Sequence, residues 1–271
     1  MKYELEKYGL LFFIGIGPIL FFFYPIFLMI KMSVYEKGVF SLSNYVEFFS
    51  SKAFTLALFN SFFISTISVI IISLMGLTIV MSVREQNSAK RVVKIISSLP
   101  MVFSAYIFCI ALIYAYGRTG IITYLFSIIG IDFPIHKFLY SKYGIIFANI
   151  VFYLPYFIIP LFSSFEEIDP NLEEAAESLG SHGFHKFRKI TFPQVLHGFI
   201  TGMLVSFLLI FNQISIVLAI GTGKTYTLTY LLFSQYERAK IGMANTIATT
   251  SLISTFIIAF MFQRILGIIK R

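Results

Sequence analysis

The chain has 271 residues, 58% of them hydrophobic and only 13% charged, with 33 Phe, no Trp and a formal net charge of +8. A soluble domain carries about 25% charged residues and has too little core to hide this much apolar surface, so the composition excludes an ordinary soluble fold. The basic excess is scattered and forms no run interleaved with aromatics, which argues against a nucleic-acid partner.

Six windows hold no Asp, Glu, Lys or Arg: residues 9–30, 53–83, 95–117, 143–165, 198–223 and 241–263. Each reaches the roughly 20 residues that a helix needs to cross the hydrocarbon core. A barrel strand would alternate every second residue over about 10 residues. Runs such as "VIIIS" at 69–73 do not alternate. Helices satisfy their own backbone inside lipid, so the expectation is an all-α membrane protein of six transmembrane helices. The first window follows Lys2 and Lys7, as a signal peptide would, but no small-residue cleavage site follows it, and a retained helix is expected. Cys109, the single cysteine, lies in the third window and reads as a buried, inert thiol.

With the N-terminus inside, the inner segments are 1–8, 84–94, 166–197 and 264–271. They hold more than half of the 21 basic residues in less chain, which places both termini in the cytoplasm. Tyr35, Tyr114, Tyr116, Tyr140 and Tyr143 then fall near the outer interface, where amphipathic rings anchor. No window carries an acid or a base. Intramembrane charges usually serve proton or ion coupling, so their absence points to energy that enters from outside the bilayer.

The long inner segment 166–197 is the most informative. Asp169-Pro170 starts a helix, with Asp as cap and Pro at the first helical position. Glu173, Glu174 and Glu177 complement the dipole of its first turns. Leu172, Ala175, Ala176 and Leu179 repeat at helical spacing as one narrow apolar face, and Gly180 stops the helix. Small residues at the centre of that face suit either docking into a groove of a partner or packing on the chain's own helices. A second short helix is expected over 183–189, with Pro193 ahead of the next membrane helix.

The spacing in this segment resembles the EAA loop of ATP-binding-cassette (ABC) importer permeases. Glu174-Ala175-Ala176, three residues, Gly180, nine residues, Ile190, one residue and Phe192-Pro193 follow the pattern, departing only where Phe192 replaces the usual Leu. Asn60-Ser61 opening a long helix, Leu99-Pro100, "YGRTGIITYL" and "YTLTYLLF" are similar too, closest to the branch serving polyamines, ferric iron, thiamine and phosphonates. The resemblance implies a type I importer (MetI-like) architecture with a cytoplasmic coupling helix. It divides the chain into a first transmembrane helix with an external segment, 1–54, and a core permease domain of five helices, 55–271. It also implies a non-catalytic transport subunit in the bacterial cytoplasmic membrane, forming half of a solute pathway. Its partners would be a cytoplasmic ATPase dimer carrying the ATP and Mg, a second permease subunit, and an extracytoplasmic binding protein that delivers solute. Glu174, Ala175, Ala176, Gly180, Ile190 and Pro193 take the ATPase-coupling role. A stand-alone secondary transporter or channel is the other function class.

Polar side chains inside the windows mark candidates for the solute pathway: Asn212 and Gln213 first, then Asn60, Asn149 and Tyr153. Each could equally hydrogen-bond between helices, which in membranes is worth about 0.6 kcal/mol. His182 and His185, three apart with no supporting acid or cysteine, read as solvated loop residues, with no metal expected. "GTGKT" at 221–225 imitates a phosphate loop, but Leu218 stands where that loop needs its first Gly, and no strand precedes it. It reads as a glycine turn where a helix leaves the bilayer, with Lys224 at the outer headgroups.

Overall fold

The computed structural model describes residues 15, 17, 19–36, 38–84, 86–130, 135–221, 223 and 225–269. Much of the first window, and Thr222, Lys224, Lys270 and Arg271, therefore lie outside the described residues. In chain order, a π-helical turn at Ile19–Phe23 leads into α1 (Tyr24–Val34), a minimal hairpin of β1 (Tyr35–Glu36) and β2 (Val39–Phe40), and α2 (Ser43–Ser50). Next come α3 (Lys52–Val83), α4 (Asn87–Ser98), a 3-10 turn at Leu99–Val102, α5 (Ala105–Tyr116), α6 (Ile121–Ile128) and α7 (Ile135–Leu139). The chain continues with α8 (Lys142–Glu166), α9 (Pro170–Ser178), α10 (Gly183–Lys186), a second π-helical turn at Phe187–Thr191, and α11 (Phe192–Phe211). It closes with α12 (Ser215–Ile220), α13 (Leu228–Glu237) and α14 (Ile241–Ile269).

Among the described residues, five helical stretches are long and apolar enough to cross a membrane: Lys52–Val83, Ala105–Ile128, Lys142–Glu166, Gly183–Phe211 and Ile241–Ile268, with Ile19–Val34 as a shorter sixth. The all-α architecture is thus present, with one two-stranded hairpin added. In it Tyr35 faces Phe40 across an antiparallel pair, their rings edge-on at 5.9 Å.

Two apolar windows are not single helices. In 95–117, α4 gives way to the 3-10 turn that contains Pro100, Phe103 is extended, and Ser104 restarts the chain as the cap of α5. Its Oγ accepts the Ile107 N–H at 3.3 Å. In 198–223, α11 stops at Phe211 and a separate six-residue helix follows. Conversely, Pro193 does not precede its helix. It sits in the first turn of α11, and α10, the π-helical turn and α11 run on as one helical stretch. Within that stretch Pro193 removes one helical N–H donor, and the wider π-helical turn lies directly ahead of it.

The chain folds as two units, one of residues 1–57 with 228–254, the other of 58–227 with 255–271. In the first unit, Phe48 is buried and its ring lies 4.8 Å from that of Phe54, while Thr246 of α14 donates its hydroxyl to the Ser33 carbonyl. In the second, α8 and α11 form the main seam. Phe157, Ile158, Leu161 and Phe162 of α8 are fully buried. The seam is tight because α11 offers Gly198 and Gly202 one turn apart. A Cβ on Gly202 would lie 2.8 Å from the Phe157 carbonyl oxygen, and one on Gly198 would lie 2.6 Å from that of Pro160. Small residues at this spacing let membrane helices approach until their backbones touch.

Candidate functional site

Helix α9 is built as its sequence dictates. Asp169 has extended backbone, and its Oδ1 accepts the Asn171 N–H at 3.0 Å, satisfying one orphan donor of the first turn. Pro170 follows at the first helical position, and Gly180 ends the element with φ +82°, a conformation that favours glycine.

The helix has two faces. Inward lie Ala176, buried, and Glu173, the residue that composition and spacing did not single out beyond its dipole contribution. Its carboxylate accepts from both arms of the Arg84 guanidinium, at 3.0 and 2.7 Å, and from the Thr191 hydroxyl at 2.6 Å. The Lys186 ammonium stands 3.6 Å away and bonds Glu177 at 2.7 Å. Arg84 follows the last residue of α3 and lies over the Phe165 ring near the end of α8. Thr191, buried, ends the π-helical turn that feeds α11. One carboxylate therefore gathers the end of α3, α10 and the turn that feeds α11 around α9. Burial pushes its pKa up, but the hydrogen bonds from Arg84 and Thr191 and the charges of Arg84 and Lys186 outweigh that and hold it below the usual carboxylate range. Beside it, Glu166 at the end of α8 accepts from Lys90 at 2.6 Å and Lys94 at 2.7 Å, tying α4 to α8.

The apolar stripe read from the sequence divides accordingly. Ala176 packs inward, while Leu172 is 52% exposed, Leu179 is 88% exposed, and Glu174, Ala175 and Gly180 are exposed with them. Ile190 is half-buried in the π-helical turn, and Pro193 is exposed at the start of α11. Packing on the chain's own helices thus holds for Ala176, and the rest of the stripe is bare.

The pathway candidates occupy several places. Asn212 is the C-cap of α11, exposed, donating to the Leu208 carbonyl at 2.9 Å and accepting from the Thr255 hydroxyl at 3.1 Å. Gln213, buried, follows in the break before α12. Asn60, buried in α3, donates to the Tyr226 carbonyl at 2.9 Å and so fastens the segment ahead of α13. Asn149 and Tyr153 lie one turn apart on α8, both buried. The Asn149 Oδ1 has no hydrogen-bond partner among the described residues, and the Tyr153 ring packs on Phe152 and Tyr156. His182, His185 and His197 are exposed. Gly223, with φ +69°, turns the chain after α12; Lys224 lies outside the described residues.

A short amphipathic helix is thus held against the ends of membrane helices, with Leu172, Ala175 and Leu179 of its stripe bare. The family described as the binding-protein-dependent transport system inner membrane component matches residues 75–271. The chain belongs to this family. As such it is the permease subunit of an ABC importer, a multi-pass protein of the bacterial cytoplasmic membrane. The permease is similar to the putative 2-aminoethylphosphonate transport system permease protein PhnU of Salmonella typhimurium, with 29% identity over 79% of this chain and 76% of that protein. It is also similar to the sulfate transport system permease protein CysW of Synechococcus elongatus, 25% identical over 76% and 72%. Its fold matches, with a TM-score of 0.86 at 18% identity, a chain of a crystallised bacterial ABC transporter that imports the acidic polysaccharide alginate, over 100% of this chain and 98% of that one.

Proposed function

We propose that this permease forms half of a solute pathway with a second permease subunit and is driven through segment 166–197 by a cytoplasmic ATPase dimer. ATP and Mg belong to that dimer, and the permease itself performs no chemistry. An extracytoplasmic binding protein delivers the solute, and both termini of the permease lie in the cytoplasm. Residues 55–271 act as the core domain behind the first helix and external segment at 1–54. Glu174, Ala175, Ala176, Gly180, Ile190 and Pro193 serve the ATPase contact, and Asn212, Gln213, Asn60, Asn149 and Tyr153 are the pathway candidates. The observation that carries the reading is α9 itself, fixed on one side by Glu173 and Ala176 and bare on the other at Leu172, Ala175 and Leu179. Among the pathway residues, Asn212 and Gln213 have the best support, because they sit at a helix break. Broken membrane helices are tolerated where they are buried in protein or line a cavity, and in other transporters they form solute sites.

The test is uptake into vesicles by the assembled complex. Glu174→Lys and Gly180→Asp are expected to lose ATPase co-purification or ATP-driven uptake while the chain stays in the membrane. Asn212→Leu combined with Gln213→Leu is expected to lower uptake at an unchanged level of assembled complex. Solute movement by the purified permease without any ATPase would overturn the proposal in favour of a stand-alone transporter or channel.

A further inference from the structure

We propose that Glu173 and Arg84 are the positioning pair that converts movement of α9 into movement of the membrane helices. The inference deepens the reading above and rests on it. The motif residues Glu174, Ala175 and Gly180 are exposed, where a partner can press, and among the described residues none of their side chains bonds to α3 or α11. The connection runs through the opposite face. Glu173 is the residue of α9 that reaches the end of α3, by a two-pronged bond to Arg84, and the start of the α11 stretch, by the Thr191 hydroxyl. Planar, two-pronged guanidinium–carboxylate pairs fix direction as well as distance, so a push on α9 tilts both attached ends instead of sliding over them. Thr191 is 1% exposed and both side chains of the pair are less than one-fifth exposed, so water competes weakly for these bonds. Lys186 completes the arrangement from α10 and keeps Glu177 turned toward the same cluster. Ala176, the other inward contact, has no polar atom on its side chain with which to fix direction.

The experiment compares the wild-type complex in proteoliposomes with Glu173→Gln, Arg84→Gln, Thr191→Val and the exchanged pair Arg84→Glu with Glu173→Arg. The readouts are ATPase co-purification and solute taken up per ATP hydrolysed. Expected for Glu173→Gln and Arg84→Gln is retained ATPase binding with uptake per ATP down by about tenfold, within the range typical of coupling between sites. Thr191→Val falls between these and wild type, and the exchanged pair recovers part of the loss. Normal uptake per ATP in both single variants overturns the pair while leaving the proposed function intact. So does loss of ATPase binding in every variant with no recovery in the exchanged pair, which marks the pair as a folding contact only. Uptake by wild type that needs no ATPase overturns the proposed function, and the pair with it.

Discussion

Between α8 and α11 the chain is held by missing side chains. Gly198 and Gly202 let the two backbones meet, and Phe157 fills what remains. Around α9 it is held by long side chains, with Arg84, Lys186 and Thr191 converging on Glu173. Each device suits its solvent. Lipid tails are as apolar as the side chains they replace, so within the bilayer helices associate through close packing and not through a hydrophobic drive. At the aqueous edge there is too little apolar area on a nine-residue helix to fix it, and charge-assisted hydrogen bonds do so instead. The seam rests on close backbone contact and the joint on a few polar bonds, which an outside push or a change of charge can reach.

The contrast can be tested from its stiffer side first. Gly202→Val drives a branched side chain into the Phe157 carbonyl and ring and is expected to cost about 1–3 kcal/mol, the range for overpacked cores. It should lower the melting temperature of the detergent-solubilised permease, and an unchanged melting temperature would show that the seam yields. Acid should act on the polar joint and leave the glycine seam in place. The Glu173 pKa is depressed, so its contribution is fully present above the unfolded value of about 4.3 and is lost as pH falls through the lower folded one. A spin label on Leu179→Cys should therefore keep constant mobility from neutral pH down to that unfolded value and gain mobility only below it, whereas Glu173→Gln should reduce that step. The smallest effect belongs to Glu177→Gln. That carboxylate is exposed, and its bond to Lys186 is the kind of surface pair that contributes little. Uptake per ATP in this variant should match wild type; a loss approaching that of Glu173→Gln would move the joint's centre to Glu177.

Much of the architecture was legible because the membrane imposes simple rules. Uncharged stretches of sufficient length must be helical, and 53–83, 143–165 and 241–263 each lie within one unbroken helix. Local chemistry was equally legible at α9, where Asp169, Pro170 and Gly180 set the start and stop by their own conformational preferences. Hydrophobicity, however, says nothing of where a helix breaks inside an apolar run. The interruptions at Pro100–Ser104 and at Asn212–Ile214 lie in windows that stay uncharged throughout, and the continuous stretch from Gly183 to Phe211 carries three basic residues in its first turns.

What the sequence determined by itself is whatever follows from neighbours along the chain: the spans, the caps and the spaced motif that marks the family. The tertiary structure alone decided which face of α9 is spent on the fold and which stays free, that Glu173 and not its neighbour Glu174 meets Arg84, and that Asn60 is used in holding the Tyr226 segment. Arg84 and Glu173 are 89 residues apart, and Asn60 and Tyr226 are 166 apart. No periodicity reaches over such separations. Only the packing of the helices between them brings each donor to its acceptor.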